Sequence, residues 1–373
     1  MRVQVVDPSA YTPPYDRALS GALARAGADV ELVTSRFAYG DVPPAEGYRV
    51  SELFYRRAGR FAAAERGRFA TKLVEHVPDM LRYRSHSRHA DIVHWQWLTV
   101  QPVDAFLLPP KRPRLLTAHD ILPREPRPGQ IGATRRLLEK MDAVVVHSDH
   151  GAARLRDELG LAKELVHVIP HGAFDYLTRL PEEKPLPPEL AAVEGPVVLF
   201  FGLMRPYKGI DLLIEAFHEI GGAELWIVGM PRMPIEPLRE LAAETRGRVR
   251  FVPRFIDDSE IPAFFRRADI VALPYREIDQ SGVLYTALAF GKPIVLSSVG
   301  GFAEIAAQGA ARAVRPNAPV ELAAAIQQLL DRPAARDALA AAAASAAAGP
   351  YSWDSIAQRT LDLYRALLDG HAA

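Results

Sequence analysis

Short apolar runs alternate along the chain with segments whose apolar residues recur at helical spacing. The apolar runs of the first half are VQVV, DVELVT, DIVHW, RLLTAH, AVVVHS and LVHVIPHG, and those of the second half are VVLFF, AELWIVG, RVRFVPRF, DIVALP and PIVLS. Runs of this length are typical of strands buried on both faces, and helices between them are typical of β-α-β units. The pattern predicts an α/β protein with two doubly wound parallel sheets, one in each half.

A proline-rich segment separates the two predicted sheets. Five prolines fall between residues 180 and 196, with charged residues among them, which is typical of an interdomain linker. Beyond Gly349-Pro350 the apolar residues return at helical spacing and need a surface to cover. We therefore expect a first domain over 1–180, a linker over 181–196, a second domain over 197–350 and a final helix over 351–373.

Composition narrows the classes of partner. Lys plus Arg and Asp plus Glu both total 45, so the overall charge favours neither nucleic acid nor a membrane surface. The chain has no cysteine, which excludes disulfides and thiolate chemistry. The opening run MRVQVV is too short for a signal peptide, and no apolar run is long enough to span a bilayer. We expect a cytoplasmic protein whose electrostatics act locally.

Two cations mark a loop in the second half. The run Val197 to Phe201 predicts a strand, and the helical spacing from Ile210 onward predicts a helix, so Arg205 and Lys208 lie on the connecting loop. A guanidinium, an ammonium group and the unpaired amides of a helix N-terminus together suit a phosphate group. A solvated loop with two unrelated cations is the alternative for an isolated pattern of this kind.

A second strand-loop-helix unit follows about seventy residues later. Here Ser281 and Gly282 come where the next helix begins, after the strand ADIVALP. Ser281 is expected to cap that helix, and the amides of Gly282 and Val283 are expected to face an anion. Two candidate anion sites at the ends of strands in one sheet favour a phosphate-bearing ligand.

The order of these parts resembles the GT-B glycosyltransferases, and among them glycosyltransferase family 4. The segments that carry the resemblance are GLMRPYKG, VRFVPRFI and ADIVALPY in the second half, and TAHD, AVVVHS and VIPHG in the first. It implies two Rossmann-like domains facing across a cleft, with the last helix crossing back to the first domain. It also implies a retaining enzyme that moves a hexosyl group from a nucleotide-diphosphate sugar to a sugar, lipid-linked or small-molecule acceptor.

The resemblance assigns roles to particular residues. Arg205 and Lys208 match the family's diphosphate-binding pair, and His119 matches a histidine that contacts the donor sugar. No cofactor is implied beyond the nucleotide-sugar co-substrate. No metal is implied either, and the chain contains no D-x-D sequence; the adjacent acids Asp257 and Asp258 are expected to cap a helix. The expected donor-binding residues are Gly202, Arg254, Phe255, Ile256, Glu277, Asp279, Gln280, Ser281, Gly282, Val283 and Thr286.

The chain departs from the family pattern at a pair of glutamates. Aligned on ALAFG, the first glutamate becomes Ile278, flanked by Glu277 and Asp279, and the second becomes Thr286. A threonine can make one ribose hydrogen bond where a carboxylate can accept two. The eroded pair keeps open a non-catalytic binding subunit of the same fold, and a nucleotide-sugar epimerase is a further alternative. A nicotinamide-dependent oxidoreductase is disfavoured because neither sheet begins with G-x-G-x-x-G.

Acceptor contacts are expected in the first domain. The loop DPSAYTPPYD after the first strand carries tyrosines where relatives have glycines, and HWQWL carries two tryptophans. Residues 49–89 hold ten Lys or Arg against four Asp or Glu, which suits either peripheral contact with an anionic membrane at its inner face or a solvated helix face. The expected acceptor-binding residues are Tyr11, Tyr15, Trp95 and His171.

Overall fold

A computed structural model gives the fold of residues 1–38, 42, 44–60, 66–98, 100–110, 113–121, 128–245 and 248–372. The chain divides into two compact units. The first comprises Met1–Gly172 and Trp353–Ala373, and the second comprises Ala173–Ser352. Both are α/β units built on wholly parallel sheets, as the alternating pattern predicts.

The first unit contains a seven-stranded sheet in the order β3-β2-β1-β4-β5-β6-β7. Its strands are β1 (Arg2–Asp7), β2 (Asp29–Ser35), β3 (Arg49–Phe54), β4 (Ile92–Trp95), β5 (Arg114–Thr117), β6 (Ala143–Val146) and β7 (Val166–Val168). Its helices before the second unit are α1 (Pro13–Arg25), α2 (Arg66–His86), α3 (Gln101–Leu107), α4 (Gln130–Leu138) and α5 (Asp149–Leu159). The edge strand β3 was missed by the sequence analysis, because RVSELF mixes polar and apolar residues and is buried only at its end.

The second unit contains a six-stranded sheet in the order β10-β9-β8-β11-β12-β13. Its strands are β8 (Val197–Phe201), β9 (Glu224–Val228), β10 (Arg248–Val252), β11 (Ile270–Leu273), β12 (Ile294–Ser297) and β13 (Arg312–Val314). Its helices are α6 (Pro188–Ala191), α7 (Ile210–Ala216), α8 (Glu236–Ala243), α9 (Ile261–Arg267), α10 (Gly282–Ala289), α11 (Phe302–Ala307), α12 (Pro319–Asp331) and α13 (Pro333–Ala348).

The last helix, α14 (Trp353–Ala372), belongs to the first unit. Trp353, Ile356 and Leu361 are buried there with residues of β1, β2 and α1. The hydroxyl of Tyr364 lies 2.6 Å from Nδ1 of His94, a residue of β4. The final helix therefore completes the core of the first sheet, as the family resemblance implies.

The segment expected to be a linker, 181–196, is part of the second unit instead. Its Leu190 is 2% exposed and belongs to the second core, and Lys184 donates its amide to Ser259. Proline content resembles that of a linker because the prolines exclude regular hydrogen bonding, but it does not report burial. The change of unit falls at 172–173, and the chain returns at 352–353.

Each sheet contains one point where the strand order reverses. In the first unit it lies between β1 and β4, and in the second between β8 and β11. The loops that leave adjacent strands in opposite directions open a crevice at the carboxyl ends of the strands, which is where α/β sheets bind ligands. Within the described residues, no helix combines the length and the apolar content needed to cross a membrane.

Candidate active site

The cationic loop leaves β8 at the reversal point of the second sheet. Pro206–Lys208 form a single 3₁₀ turn, and Gly209 then takes a left-handed conformation with φ of 65°. A Cβ on Gly209 would lie 2.1 Å from the carbonyl oxygen of Pro274, which follows β11. A residue with a side chain would separate the two loops, so glycine holds the cationic loop against the loop that leads to α10.

Lys208 is held inside this crevice. The residue is 7% exposed, and its Nζ lies 5.1 Å from the centre of the Tyr275 ring. Gly202 has φ of 105°, and a Cβ built there would lie 3.2 Å from Nζ of Lys208 and 3.1 Å from Cγ2 of Val283. The ammonium group, the start of α10 and the backbone after β8 therefore converge, as the sequence predicts. A desolvated ammonium group at a helix N-terminus attracts an anion strongly.

Arg205 lies at the rim of the same loop. It is exposed, and among the described residues its guanidinium has no ion-pair partner. The two predicted cations thus differ: Lys208 is fixed by packing, whereas Arg205 is free to reorient toward a ligand. Arg205 retains the long reach and planar donors that suit a diphosphate.

Arg276 fastens this loop, and the sequence analysis missed it. Its guanidinium donates to both carboxylate oxygens of Asp211 at 2.9 and 2.6 Å and to the carbonyl of Pro206 at 2.9 Å. Its amide donates to the carbonyl of Tyr207 at 2.7 Å. The Arg276 hydrogen bonds and charge, with those of nearby backbone amides, hold the pKa of Asp211 low against its partial burial. Arg276 therefore fixes the loop that bears Lys208 through contacts with three residues, Pro206, Tyr207 and Asp211.

The N-terminus of α7, where the sequence predicts unpaired amides, also carries an acid in its first turn. Asp211 lies in that first turn, and its carboxylate is held by the guanidinium of Arg276. The field of that helix is therefore met by a carboxylate of its own first turn. The start of α10, where no acid occupies the first turn, remains as the helix N-terminus beside Lys208.

Ser281 does not cap α10, contrary to the expectation. Its side chain makes no capping hydrogen bond, and its hydroxyl lies 3.4 Å from that of Tyr275. Gly282 is exposed, and the Phe174 ring lies 3.1 Å from the position a Cβ would take. The small residue is therefore explained by contact with Phe174 as well as by the expected approach of a ligand.

Thr286 and Gln280 are engaged within the loop and helix. The hydroxyl of Thr286 donates to the carbonyl of Gly282 at 3.0 Å, and Gln280 accepts from the hydroxyl of Tyr285 at 2.8 Å. Because the Thr286 hydroxyl already donates its one hydrogen, it can only accept a further hydrogen bond. Glu277 is exposed and Asp279 is half-buried, while Ile278 packs against the core.

The segment expected to hold the nucleotide base follows β10. Phe255 is exposed, Ile256 is buried in the core, and Arg254 pairs with both carboxylate oxygens of Glu260 at 3.0 and 2.6 Å. The expectation that Asp257 and Asp258 cap a helix is wrong, because α9 begins at Ile261. Their carboxylates instead meet Nζ of Lys184 at 3.3 Å and the hydroxyl of Tyr176 at 2.8 Å. No group of three or more acids or histidines placed to hold a metal occurs in the described residues.

The corresponding crevice of the first unit is organised by a buried carboxylate. Asp7, at the end of β1, accepts hydrogen bonds from the amides of Ser9, Tyr11 and Thr12. Asp16 of α1 is also buried and hydrogen-bonded to Asp7, and burial raises the pKa of both groups. Since Asp7 already accepts three N–H groups, the shared proton lies on Asp16. This pair shapes the loop between β1 and α1.

Four aromatic or imidazole side chains meet around Tyr15. The ring is 3% exposed and lies within 4.7 to 5.5 Å of the rings of His119, His147, His171 and Trp353. The expectation that Tyr15 offers an aromatic face to an acceptor is therefore wrong. It is the centre of a packed cluster contributed by α1, α14 and the loops after β5, β6 and β7.

The hydrogen bonds of this cluster fix the protons on its histidines. Nδ1 of His147 faces the carbonyl of Ile169 at 3.0 Å and must donate, so its Nε2 accepts from Nδ1 of His119 at 3.2 Å. Nε2 of His119 then carries a lone pair, but the Gln96 atom 3.1 Å away is Oε1, which is also an acceptor. The Gln96 Nε2 group is buried and has no hydrogen-bond partner among the described residues, so both atoms are satisfied when the amide is turned by half a rotation and Nε2 donates to His119. Burial lowers the pKa of His147 to about 4 and that of His119 well below its ordinary value.

The two tryptophans of HWQWL have different positions. Trp95 is fully buried and packs at 5.1 Å on Tyr83, so the expected acceptor contact at Trp95 is wrong. Trp97 is half-buried, stacks on His119 at 5.2 Å and donates its indole N–H to Thr12. Tyr11 is exposed and lies 5.2 Å from Trp97. Alternation along a strand would place residues two positions apart on one face, so it could not have separated the pair; the two differ because β4 ends at Trp95.

His171 is buried beneath this surface. Its Nδ1 lies 2.6 Å from the carbonyl of Gly172, and its ring contacts Tyr15 and His147. Burial and the neighbouring His147 hold the pKa of His171 well below its ordinary value. A direct acceptor contact, expected from the sequence, would need the surrounding rings to move, so we assign His171 to the support of the cluster.

Both halves of the chain match models of known glycosyltransferase families. Residues 195–332 match the family described as Glycosyl transferases group 1, and residues 17–173 match Glycosyltransferase Family 4. The chain is 27% identical over 402 residues to the D-inositol 3-phosphate glycosyltransferase of Kineococcus radiotolerans, covering 95% of this chain and 90% of that protein. It is 24% identical over 254 residues to the GDP-mannose:glycolipid 4-beta-D-mannosyltransferase of Xanthomonas campestris pv. campestris, covering 61% and 68%.

Solved structures share the whole fold. Sucrose-phosphate synthase from Thermosynechococcus elongatus superposes with a TM-score of 0.76 at 22% identity, over 99% of this chain and 100% of that one. An Anabaena protein solved in complex with UDP-glucose gives a TM-score of 0.72 at 19% identity, over 98% and 100%. At these identities the likeness shows the fold.

Proposed function

The chain belongs to the GT-B glycosyltransferases of family 4, and from this premise we propose that it transfers a hexosyl group from a nucleotide-diphosphate sugar to a sugar, lipid-linked or small-molecule acceptor. The observation that carries the proposal is the convergence of Lys208, Gly202 and the start of α10. These groups lie at the reversal point of a parallel sheet, where the family's donor diphosphate would bind.

The chemistry needs positive charge where the leaving group forms. As the anomeric C–O bond breaks, negative charge grows on the departing diphosphate. In the proposed mechanism the Lys208 ammonium group, the Arg205 guanidinium and the amides of Gly282 and Val283 stabilise that charge. Fixed donors of this kind act more strongly in a water-poor site than in water, because little reorganisation is needed during the reaction.

Retention of anomeric configuration and independence from a divalent metal belong to the same proposal. Side-chain cations would meet the charge that a metal meets in other transferases. Activity is then expected to persist after exhaustive treatment with a chelator, and the product is expected to keep the anomeric configuration of the donor, as read by proton NMR. Loss of activity on chelation, with recovery on adding Mg²⁺ or Mn²⁺, would contradict the metal-independent mechanism.

The first unit is proposed to receive the acceptor. Tyr11 and Trp97 present aromatic surface beside His119, and aromatic faces suit the apolar face of a sugar ring. His119 is proposed to position the donor sugar; a sugar hydroxyl donating to its Nε2 would take the place of Gln96. Peripheral contact of residues 49–89 with the inner membrane face, by a cytoplasmic protein, is part of this proposal; residues 61–65 of that range lie outside the described residues.

A panel of UDP-, GDP-, ADP- and dTDP-sugars tests donor use. The preferred donor should raise the melting temperature most, because a ligand that binds only the folded state stabilises it in proportion to its saturation. Lys208→Met keeps the apolar stem and removes the charge, and it should lower kcat about 10²- to 10³-fold. Lys184→Met removes an exposed, paired lysine of the same unit and is the matched control. Equal rates for wild type and Lys208→Met would refute the proposal.

A non-catalytic binding subunit is the second candidate. It is favoured by Ile278 packing against the core and by the Thr286 hydroxyl bonding to its own helix, at the positions of the family's two glutamates. It predicts donor binding without transfer to any acceptor and without donor hydrolysis. Formation of a 2-epimer without acceptor would instead identify an epimerase.

A further inference from the structure

Helix α2 carries large apolar side chains on its exposed side. At 100° per residue they fall within about 140° of the helix circumference, so they form one continuous face. We call this set the α2 apolar face. Its members are between 40% and 75% exposed and are Phe69, Leu73, Val74, Val77 and Leu81.

The buried side of the same helix is partly polar. Nε2 of His76 lies 2.6 Å from Asp104 of α3, and its Nδ1 lies 2.7 Å from the hydroxyl of Tyr55. Asp79 accepts the amide of Tyr55 at 2.7 Å. Rotating α2 to bury the apolar face would break these buried hydrogen bonds, which is costly in a site without water. Met80 and Tyr83 of the same helix are buried in the core, so α2 carries one apolar stripe toward the core and a second one on its exposed side.

Cations outnumber acids around the face, although one of them, Arg82, pairs with Asp79 at 2.7 Å. The only acids between residues 67 and 89 are Glu75, which accepts the amides of Arg57 and Ala58, and the buried Asp79. Arg82 and Arg88 are exposed beside the apolar residues. A second copy of this chain would bring like charges together, whereas an anionic lipid surface would meet cations at its headgroups and apolar side chains at its acyl boundary.

We propose that the α2 apolar face inserts into the interface of an anionic lipid bilayer. Neighbouring α3, joined to α2 by the His76–Asp104 hydrogen bond, exposes Phe106, with the ammonium group of Lys140 4.9 Å from its ring. This inference rests on the proposed function. Insertion holds the acceptor-binding unit at the membrane, where a lipid-linked acceptor lies. Apolar insertion, rather than the excess of basic residues alone, provides the binding.

Co-sedimentation with vesicles tests the proposal. The full chain should pellet with vesicles of phosphatidylglycerol and phosphatidylcholine in equal parts, and less with phosphatidylcholine alone. The double variant Leu73→Gln/Val74→Gln should bind these vesicles about tenfold more weakly or less still, because two apolar side chains no longer enter the interface. Val320→Gln changes a residue of α12 in the second unit that is also 75% exposed, and it should bind as wild type does.

Further measurements separate the alternatives. Melting temperature should be unchanged in the double variant, since both side chains are exposed. Donor turnover with a water-soluble acceptor should also be unchanged, so failure of transferase activity and failure of membrane binding are read separately. The proposal is overturned if the wild type stays in the supernatant with anionic vesicles, or if the double variant pellets as the wild type does. It is equally overturned if sedimentation velocity shows a dimer that the double variant abolishes.

Discussion

The two units use the same topological position in different ways. In the second unit, the loops beside β8 and β11 hold a buried ammonium group between glycine backbone and a helix start. In the first unit, the loops after β1, β4, β5 and β6 are filled by neutral imidazoles, aromatic rings and a pair of carboxyl groups. The crevice of the second unit concentrates positive charge, whereas the imidazoles and aromatic rings in the crevice of the first unit are neutral. The comparison teaches that the sheet provides the position of a site and the loops determine its chemistry.

Low pH should destabilise the first unit, and this is the strongest of the effects that we expect. Burial lowers the pKa of His94 to about 3 and that of His147 to about 4, and it lowers those of His119 and His171 as well. A histidine with a lowered pKa stabilises the folded state above its unfolded value near 6.5, and that stability is lost as the pH falls toward the folded value. The free energy of unfolding of the first unit should therefore fall by several kcal/mol between about pH 6.5 and pH 3.

Hydrogen exchange read by mass spectrometry between pH 7 and pH 4 can follow the two units separately. Protection should fall first in β4 to β7 and α14, and later in β8 to β12, where no comparable group of buried histidines is present among the described residues. Equal loss of protection in both units would contradict the prediction that acid destabilises the first unit before the second.

Gly202→Ala should have the next largest effect. The residue has φ of 105°, and its new Cβ would lie 3.2 Å from Nζ of Lys208. A displaced ammonium group should lower kcat about 10²-fold, a loss of about 2.7 kcal/mol of transition-state stabilisation. Steady-state kinetics measures it. Gly222→Ala is the matched control, because Gly222 also has positive φ but no atom within 4 Å of its Cβ position.

Arg276→Gln should have a smaller effect, on rate rather than on stability. Arg276 and Asp211 are partly exposed, so their ion pair contributes at most about 1 kcal/mol to folding. Loss of the bonds to Asp211 and Pro206 loosens the loop that bears Lys208, and we expect kcat to fall about tenfold. Arg315→Gln breaks an exposed pair with Glu321 in the same unit and should leave the rate unchanged. A fall in melting temperature without a change in rate would assign Arg276 a structural role only.

Asp16→Asn should give the smallest effect. The raised pKa of Asp16 means that its proton stabilises the folded state at low pH and that this contribution is lost as the pH rises through the folded value. Asparagine donates an N–H to Asp7 at every pH. The melting temperature of the variant should therefore exceed that of the wild type increasingly as the pH rises, on the order of 1 kcal/mol in stability. Parallel melting curves for the two proteins from pH 5 to pH 9 would contradict a shared proton.

The second crevice is more predictable from the sequence than the first, for a physical reason. Gly202, Lys208 and Gly209 lie within eight residues of one another, so the strand-loop-helix pattern determines their arrangement locally. The cluster around Tyr15 joins residues up to 338 positions apart, from Tyr15 to Trp353, and no local pattern brings them together. His119 was identified only by resemblance, and His147 and Gln96 were not identified at all.

Errors within the second crevice have a different origin. Ser281 has the residue type of a helix cap, but its side chain lies beside the hydroxyl of Tyr275. Arg276 and Asp211 are 65 positions apart, and a surface-type arginine gives no sequence signal for an ion pair of this kind. Residue type predicts which hydrogen bonds a side chain can make, whereas tertiary packing decides which of them it does make.

The membership of α14 in the first unit bears on synthesis at the ribosome. The second unit is one continuous stretch, 173–352, but the first lacks Trp353, Ile356 and Tyr364 until α14 has been synthesised. Domains fold as units once their residues have emerged, so the later-made half can reach its native state earlier. Until then the nascent first sheet carries an uncovered apolar surface, which is the kind of surface that makes a folding intermediate prone to aggregate.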